Sequence, residues 1–356
     1  MAGRAATGKK RKKKAEAPLY RYLIRPVTFA LFTLLRGACW ILPPAVIYLA
    51  ARTVVWIGWQ CSASRRRIVN RNLEIAFGDR YTTDERKGIA RRSAQHFILS
   101  LLDLLILPRF YTGERWRDIV EMTPEQESFL AKLPAREVPL AFHTAHFGSW
   151  EFGPAILGLL GVKVSMVYRP LDFPRVDAEI GRLRCSAGNE VCPKEGALRG
   201  YVRTLRKNGC LGVIADQNAG RDGAFLSFFG VPVSTEVRHF ALYRRFNARA
   251  CAAFIERVGF QFKFRLRGVF EIALDPTADE ATEAMRVGQW YNDCLQQVIE
   301  DAPDQYAWLH RRFRSRPAGA PSLYDNLDQP LDRTLLKKQP SEPILPPHWQ
   351  QDTEQK

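Results

Sequence analysis

The spacing of apolar positions changes several times along the chain, and each change predicts a different kind of element. Residues 27–51 (VTFALFTLLRGACWILPPAVIYLAA) are apolar apart from Arg36, about the length a helix needs to cross a bilayer. The apolar character continues through Val54, Val55, Trp56, Ile57 and Trp59, with no small-x-small cleavage site, so a cleaved secretory signal is disfavoured. Arg36 and the pair Pro43–Pro44 divide the segment, which leaves open a tilted span or a monotopic hairpin lying in the membrane interface. Further on, Thr82 with Glu85 three residues later marks a capping box. It opens a helix that is basic at Arg86, Lys87, Arg91 and Arg92 and apolar from Phe97 to Ile106, ending before Pro108.

From residue 137 the period shortens. VPLAFH (138–143), KVSMVY (163–168), CLGVIA (210–215), ARACAAFIE (248–256) and FKFRLRGVFEIA (262–273) read as strands. The stretches between them, 148–161, 174–188 and 196–209, read as helices that run up to a glycine. Alternation of this kind predicts an α/β fold, a central mixed sheet flanked by helices, carrying an N-terminal membrane-anchoring helix. After about residue 316 proline and polar residues dominate and predict a loosely packed tail. The domain reading is a basic tail over 1–26, a membrane anchor over 27–62, a catalytic domain over 63–325 and a proline-rich polar tail over 326–356.

Charge sharpens this picture. A formal net charge of +16 calls for an anionic partner: lipid headgroups, nucleic acid or an acidic protein. Lys9, Lys10, Arg11, Lys12, Lys13 and Lys14 just before the apolar segment favour keeping that end in the cytoplasm. The seven cysteines form no C-x-x-C pair and their number is odd, which fits a reducing compartment better than a disulfide framework or a zinc site.

The stretch richest in chemistry is His143-Thr-Ala-His146-Phe-Gly148-Ser149-Trp-Glu151, where a predicted strand gives way to a helix, the place open α/β sheets bind ligands. With Ser149 as the N-cap, Glu151 falls in the first helical turn, able to fold back on His146. A carboxylate accepting one imidazole N–H fixes the tautomer and raises the basicity of the other nitrogen. Gly148 would let backbone amides approach an oxyanion. On these residues alone a helix cap beside a core histidine competes with catalysis, and a metal reading of His143, His146 and Glu151 is the weakest, because the two histidines share no predicted helix face.

AHFGSWE resembles the histidine box of the late acyltransferases of lipid A biosynthesis, the lauroyl and myristoyl transferases within the lysophospholipid acyltransferase superfamily. VYRPLD (167–172), LGVIADQ (211–217), FFGVPVST (228–235) and APDQYAWLHRRFRSRP (302–317) agree in order, and RRRIVNRNLEIAFGD (65–79) is similar to that family's basic segment. The resemblance implies a glycerolipid acyltransferase-like fold, His146 as general base with Glu151 as its partner, and Arg169 and Asp216 in the active site, with Gly148 and Gln217 at the substrate. It also implies an acyl carrier protein or coenzyme A thioester as donor, a lipid A-type glycolipid acceptor, and no metal, cofactor or nucleic acid. The setting it implies is a monomer at the bacterial inner membrane, its catalytic domain facing the cytoplasm. Phe173, where many members carry asparagine, and Glu-Val-Arg-His-Phe after Thr235 depart from the pattern and bear on acceptor and acyl chain. Two alternatives stay open: a phospholipid or phosphatidylinositol-mannoside acyltransferase using the same residues, and a catalytically silent basic membrane-binding protein. His310, Arg311 and Arg312 read as structural.

Overall fold

A computed structural model describes residues 24–193, 196–337 and 344 of the 356; the Lys9–Lys14 run and most of the terminal tail lie outside these. In chain order the helices and strands are α1 (Arg25–Ile41), α2 (Pro44–Cys61), α3 (Ala63–Phe77), α4 (Thr83–Ile106), β1 (Val120–Glu121), α5 (Pro124–Lys132), β2 (Leu140–Thr144), α6 (Phe152–Leu159), β3 (Val164–Tyr168) and α7 (Pro174–Cys185). They continue with β4 (Glu190–Pro193), α8 (Ala197–Arg206), β5 (Cys210–Ile214), β6 (Ala224–Phe228), β7 (Val231–Thr235), α9 (Arg238–Arg245), β8 (Arg249–Arg257), β9 (Phe264–Ile272), α10 (Glu280–Asp301) and α11 (Thr334–Lys337).

Among the described residues one seven-stranded sheet runs β1-β9-β8-β2-β5-β3-β4, and β6 and β7 form a separate hairpin. All neighbours in the large sheet are parallel except β8 and β9. All five positions of β2 are buried, as a parallel strand covered on both faces requires. Its side chains alternate between two cores: Ala141 packs toward α9 and α10, whereas Leu140 and Phe142 pack toward α6. The five strands read from the sequence all form. The hairpin β6–β7 and the short β1 and β4 were not among them: β1 and β4, of two and four residues, are too short to show a period, and Gly223, Gly230 and Pro232 interrupt the pattern around β6 and β7.

Where one membrane-anchoring helix was expected, the chain makes two. Pro43 cannot extend α1 and Pro44 opens α2 at its first turn, so the apolar run becomes a helical hairpin. No helix of the described residues is long and apolar enough to cross a membrane. One side of the hairpin packs on the body. Cys39, Ile47 and Tyr48 join Leu99, Leu102, Leu105 and Ile106 of α4 in a core of their own, and Arg36 pairs with Glu179 of α7 at 2.6 Å. The capping box of α4 forms as predicted, with Thr82 accepting from the Glu85 amide and Glu85 from that of Thr82.

The segment after residue 316 is less loose than its composition predicts. Leu323 and Tyr324 are buried, and buried Arg71 donates to the carbonyls of Leu323, Asn326 and Gln329. That arginine is therefore a fastener, while its neighbour Arg65 remains on the surface.

Candidate active site

Three parallel strands, β2, β5 and β3, end on the same edge of the sheet, and the loops leaving them build the site. In the β2–β5 ladder Thr144 lies opposite Ile214, so the residues two positions beyond each strand, His146 and Asp216, arrive side by side. His146 Nδ1 and Asp216 Oδ1 are 2.9 Å apart, and the His146 backbone N–H donates to Asp216 Oδ2 at 3.1 Å. A carboxylate here can only accept, so Nδ1 carries the hydrogen and Nε2 keeps its lone pair. The ring stands edge-on to Trp150 at 5.2 Å and is 23% exposed, against 3% for the Asp216 side chain.

Burial disfavours the imidazolium, but the charge and hydrogen bond of Asp216, with help from Glu151, outweigh it and raise the His146 pKa above the ordinary histidine value, while Arg184 opposes them. Burial also works against the Asp216 carboxylate. His146, its backbone N–H and Arg312 overcome it and lower the aspartate's pKa.

Glu151 is close enough to act on His146 through its charge, yet it makes its hydrogen bonds elsewhere. Arg184, in the last turn of α7, grips it with Nη2 on Oε1 at 2.6 Å and Nε on Oε2 at 3.1 Å. Ser149 does not cap the helix: α6 begins at Phe152 with Glu151 in the N-cap position, and the buried Ser149 hydroxyl has no partner. The orienting contact expected from Glu151 is made by Asp216, for a geometric reason. Glu151 leaves the loop on the α7 side, where a guanidinium meets it, while strand register delivers Asp216 to Nδ1.

The backbone amides of the loop are committed. Those of Phe147, Gly148 and Ser149 donate to Ala145, Gln305 and Ile255 carbonyls respectively, so Gly148 offers no N–H to an oxyanion. Its use is steric: at φ +51° a Cβ there would sit 1.9 Å from the Ile255 oxygen. The DQYAW stretch clasps this loop. The Ala307 amide bonds the His146 carbonyl, the Tyr306 hydroxyl bonds the Asp216 carbonyl, and Tyr291 of α10 bonds the Thr144 carbonyl at 2.8 Å. Arg312 is buried and donates to the carbonyls of Gln217 and Ser234, in keeping with its structural reading.

The remaining candidates separate. Arg169 follows β3 on the same edge of the sheet; it is exposed and forms no hydrogen bond or ion pair among the described residues. Gln217 has an exposed side chain. His143 belongs to the core: its nitrogens are taken by the Cys251 carbonyl and the Tyr243 hydroxyl, both at 3.0 Å, and burial holds its pKa down at about 4. It therefore cannot share a metal with His146. Arg184 was not foreseen. Nothing marks one arginine in GRLRC as the partner of a glutamate 33 residues earlier.

The family described as bacterial lipid A biosynthesis acyltransferase matches residues 13–315. The lipid A biosynthesis lauroyltransferase of Escherichia coli (strain K12) is 27% identical over 298 residues, covering 81% of this chain and 92% of that protein. The palmitoleoyltransferase of the same organism is 28% identical over 264 residues, 73% of this chain and 82% of its own length. A lipid A biosynthesis acyltransferase of Haemophilus influenzae is 26% identical over 283 residues, 76% and 85% of the two chains.

Proposed function

The chain belongs to the bacterial lipid A biosynthesis acyltransferase family and is an acyltransferase; from that membership and the site's geometry we propose that it moves a fatty acyl group from a thioester donor to a hydroxyl of a lipid A-type glycolipid, with His146 as the general base. The observation that carries this reading is the His146–Asp216 pair, a histidine held by one nitrogen and open at the other. Nε2 takes the proton of the acceptor hydroxyl as its oxygen attacks the thioester carbonyl. The tetrahedral intermediate collapses with loss of the thiolate, to which the imidazolium can return the proton. Asp216 holds the ring and stabilises its charged form, and Glu151 adds negative charge from within its pair with Arg184. Arg169, unpaired on the same edge, suits a phosphate of donor or acceptor.

The apolar hairpin supports attachment to the bacterial inner membrane without a full crossing. Leu31, Leu34, Ile41, Leu49 and Val54 are each at least 62% exposed, and one-sided apolar helices of this kind lie in a bilayer interface. A cytoplasmic catalytic domain, an acidic acyl carrier protein as donor and a monomeric state complete the proposal; the net charge of +16 favours an acidic carrier.

The test uses the purified full chain with acyl carrier protein and coenzyme A thioesters of matched chain length and a lipid A precursor as acceptor. His146→Ala should lower turnover by about two to four orders of magnitude, the usual range for a positioned base. A correctly folded His146→Ala enzyme retaining more than a tenth of the rate would rule out this assignment.

A further inference from the structure

At the turn of the α1–α2 hairpin lies a groove of about 490 Å³, within the ~300–1,000 Å³ of ordinary small-molecule sites. Pro43, Pro44, Leu49, Phe110 and Phe262 make its lining apolar, and no acidic side chain contributes to it. Two cations stand on it, Arg52 and Lys263. The Arg52 guanidinium lies 3.8 Å from the centre of the Phe260 ring, and its buried Nε has no hydrogen-bond partner. Neither Arg52 nor Lys263 forms an ion pair among the described residues. Half-buried, stacked on the Phe260 ring and without a carboxylate partner, the Arg52 guanidinium stands beside an apolar trough where an anion would complement its charge.

The groove is continuous with the outward face of the hairpin, since Leu49 belongs to both. A ligand reaching it therefore combines a hydrocarbon chain with a single anionic head. We infer that this groove binds one anionic membrane phospholipid, its phosphate on Arg52 and Lys263 and an acyl chain against Leu49, Phe110 and Phe262. The source of the lipid rests on the proposed membrane attachment, although the binding chemistry does not. None of its lining residues is among those gathered around His146 and Asp216, and the buried Tyr48–Asp103–Arg257 cluster adjoins it through Tyr48.

The experiment uses the full chain in maltoside micelles, with phosphatidylglycerol or phosphatidylcholine added and retained lipid counted by native mass spectrometry. One phosphatidylglycerol per chain should be retained in preference to phosphatidylcholine. Arg52→Gln with Lys263→Gln should weaken retention roughly ten- to thirtyfold, as expected for two cations near a lipid phosphate. Ala45→Trp, which fills the groove from an exposed position, should also displace the lipid and leave turnover on detergent-dispersed substrates unchanged. Lys263→Gln alone, at an exposed residue, gives a folded variant with a smaller loss. Equal retention of the two lipids, or retention indifferent to all three variants, would overturn the inference. So would loss of turnover in Ala45→Trp with lipid retention intact, which would assign the groove to the reacting acyl chain. Flotation with vesicles keeps the two readings apart: wild type that fails to float counts against membrane attachment, whereas wild type that floats but retains no lipid counts against the groove.

Discussion

The edge of the sheet and the α1–α2 hairpin are built from similarly apolar sequence and end in opposite states. At the sheet, β2 and β5 are covered on both faces, and the polar groups that survive there, His146 and Asp216, are paired and pinned by strand register. On the hairpin only one side is covered; Cys39 and Tyr48 are buried while Leu34 and Ile41 stand 70% and 78% exposed. The difference teaches that burial follows from the partners a segment meets, not from its own hydropathy. Arg257 of β8 connects the two regions. It is fully buried against Asp103 of α4 and Tyr48 of α2, and Ser100 of α4 donates to the Gly148 carbonyl of the histidine loop.

The comparison can be broken most forcefully at the sheet edge. Asp216→Asn should lower turnover by roughly two orders of magnitude, within the range of general-base effects. It should also move the acid limb of the pH–rate profile. His146 must be neutral to act, and its raised pKa places that limb above the ordinary histidine range; without the aspartate charge the limb shifts to lower pH. Glu151→Gln, which removes a more distant charge, should shift it less, and a larger shift from Glu151→Gln than from Asp216→Asn would reverse the roles of the two carboxylates.

Next in size is the connection itself. Arg257→Leu leaves Asp103 buried without its cation and should cost about 3–5 kcal/mol in denaturant unfolding. A loss near zero would mean that hairpin and sheet are held together by apolar contact alone. The smallest effect on stability belongs to the hairpin's outer face. Leu34→Glu with Val54→Glu should change unfolding free energy by no more than about 0.5 kcal/mol, as for ordinary surface positions, yet abolish flotation with vesicles. Retained flotation would move the membrane contact elsewhere.

Much of this molecule is legible in its sequence because the signals are local. The five strands read from residue 137 onward, the capping box at Thr82 and the break at Pro43–Pro44 each depend on a few neighbouring residues. The histidine loop is legible too, since HTAHFGSWE sits at a strand end. What escaped was its wiring. Spacing alone favours Glu151 as the partner of His146, and only the β2–β5 register, joining positions 70 residues apart, hands that contact to Asp216. The same holds for Arg71: nothing in the basic segment 65–79 marks it as a buried fastener until residues 323–329 fold over it.

By itself the sequence determined that the fold is α/β, where five of the strands and the capped start of α4 lie, and, with the family resemblance, that His146, Glu151 and Asp216 are candidates for one site. Tertiary structure decided which carboxylate holds the histidine, which charges are buried fasteners and which side of the apolar hairpin stays uncovered. The reason is one of range. Hydrogen-bonded turns and apolar periodicity are set within a few residues, whereas partners across a parallel sheet are set by the register of strands that meet only after the intervening chain has packed.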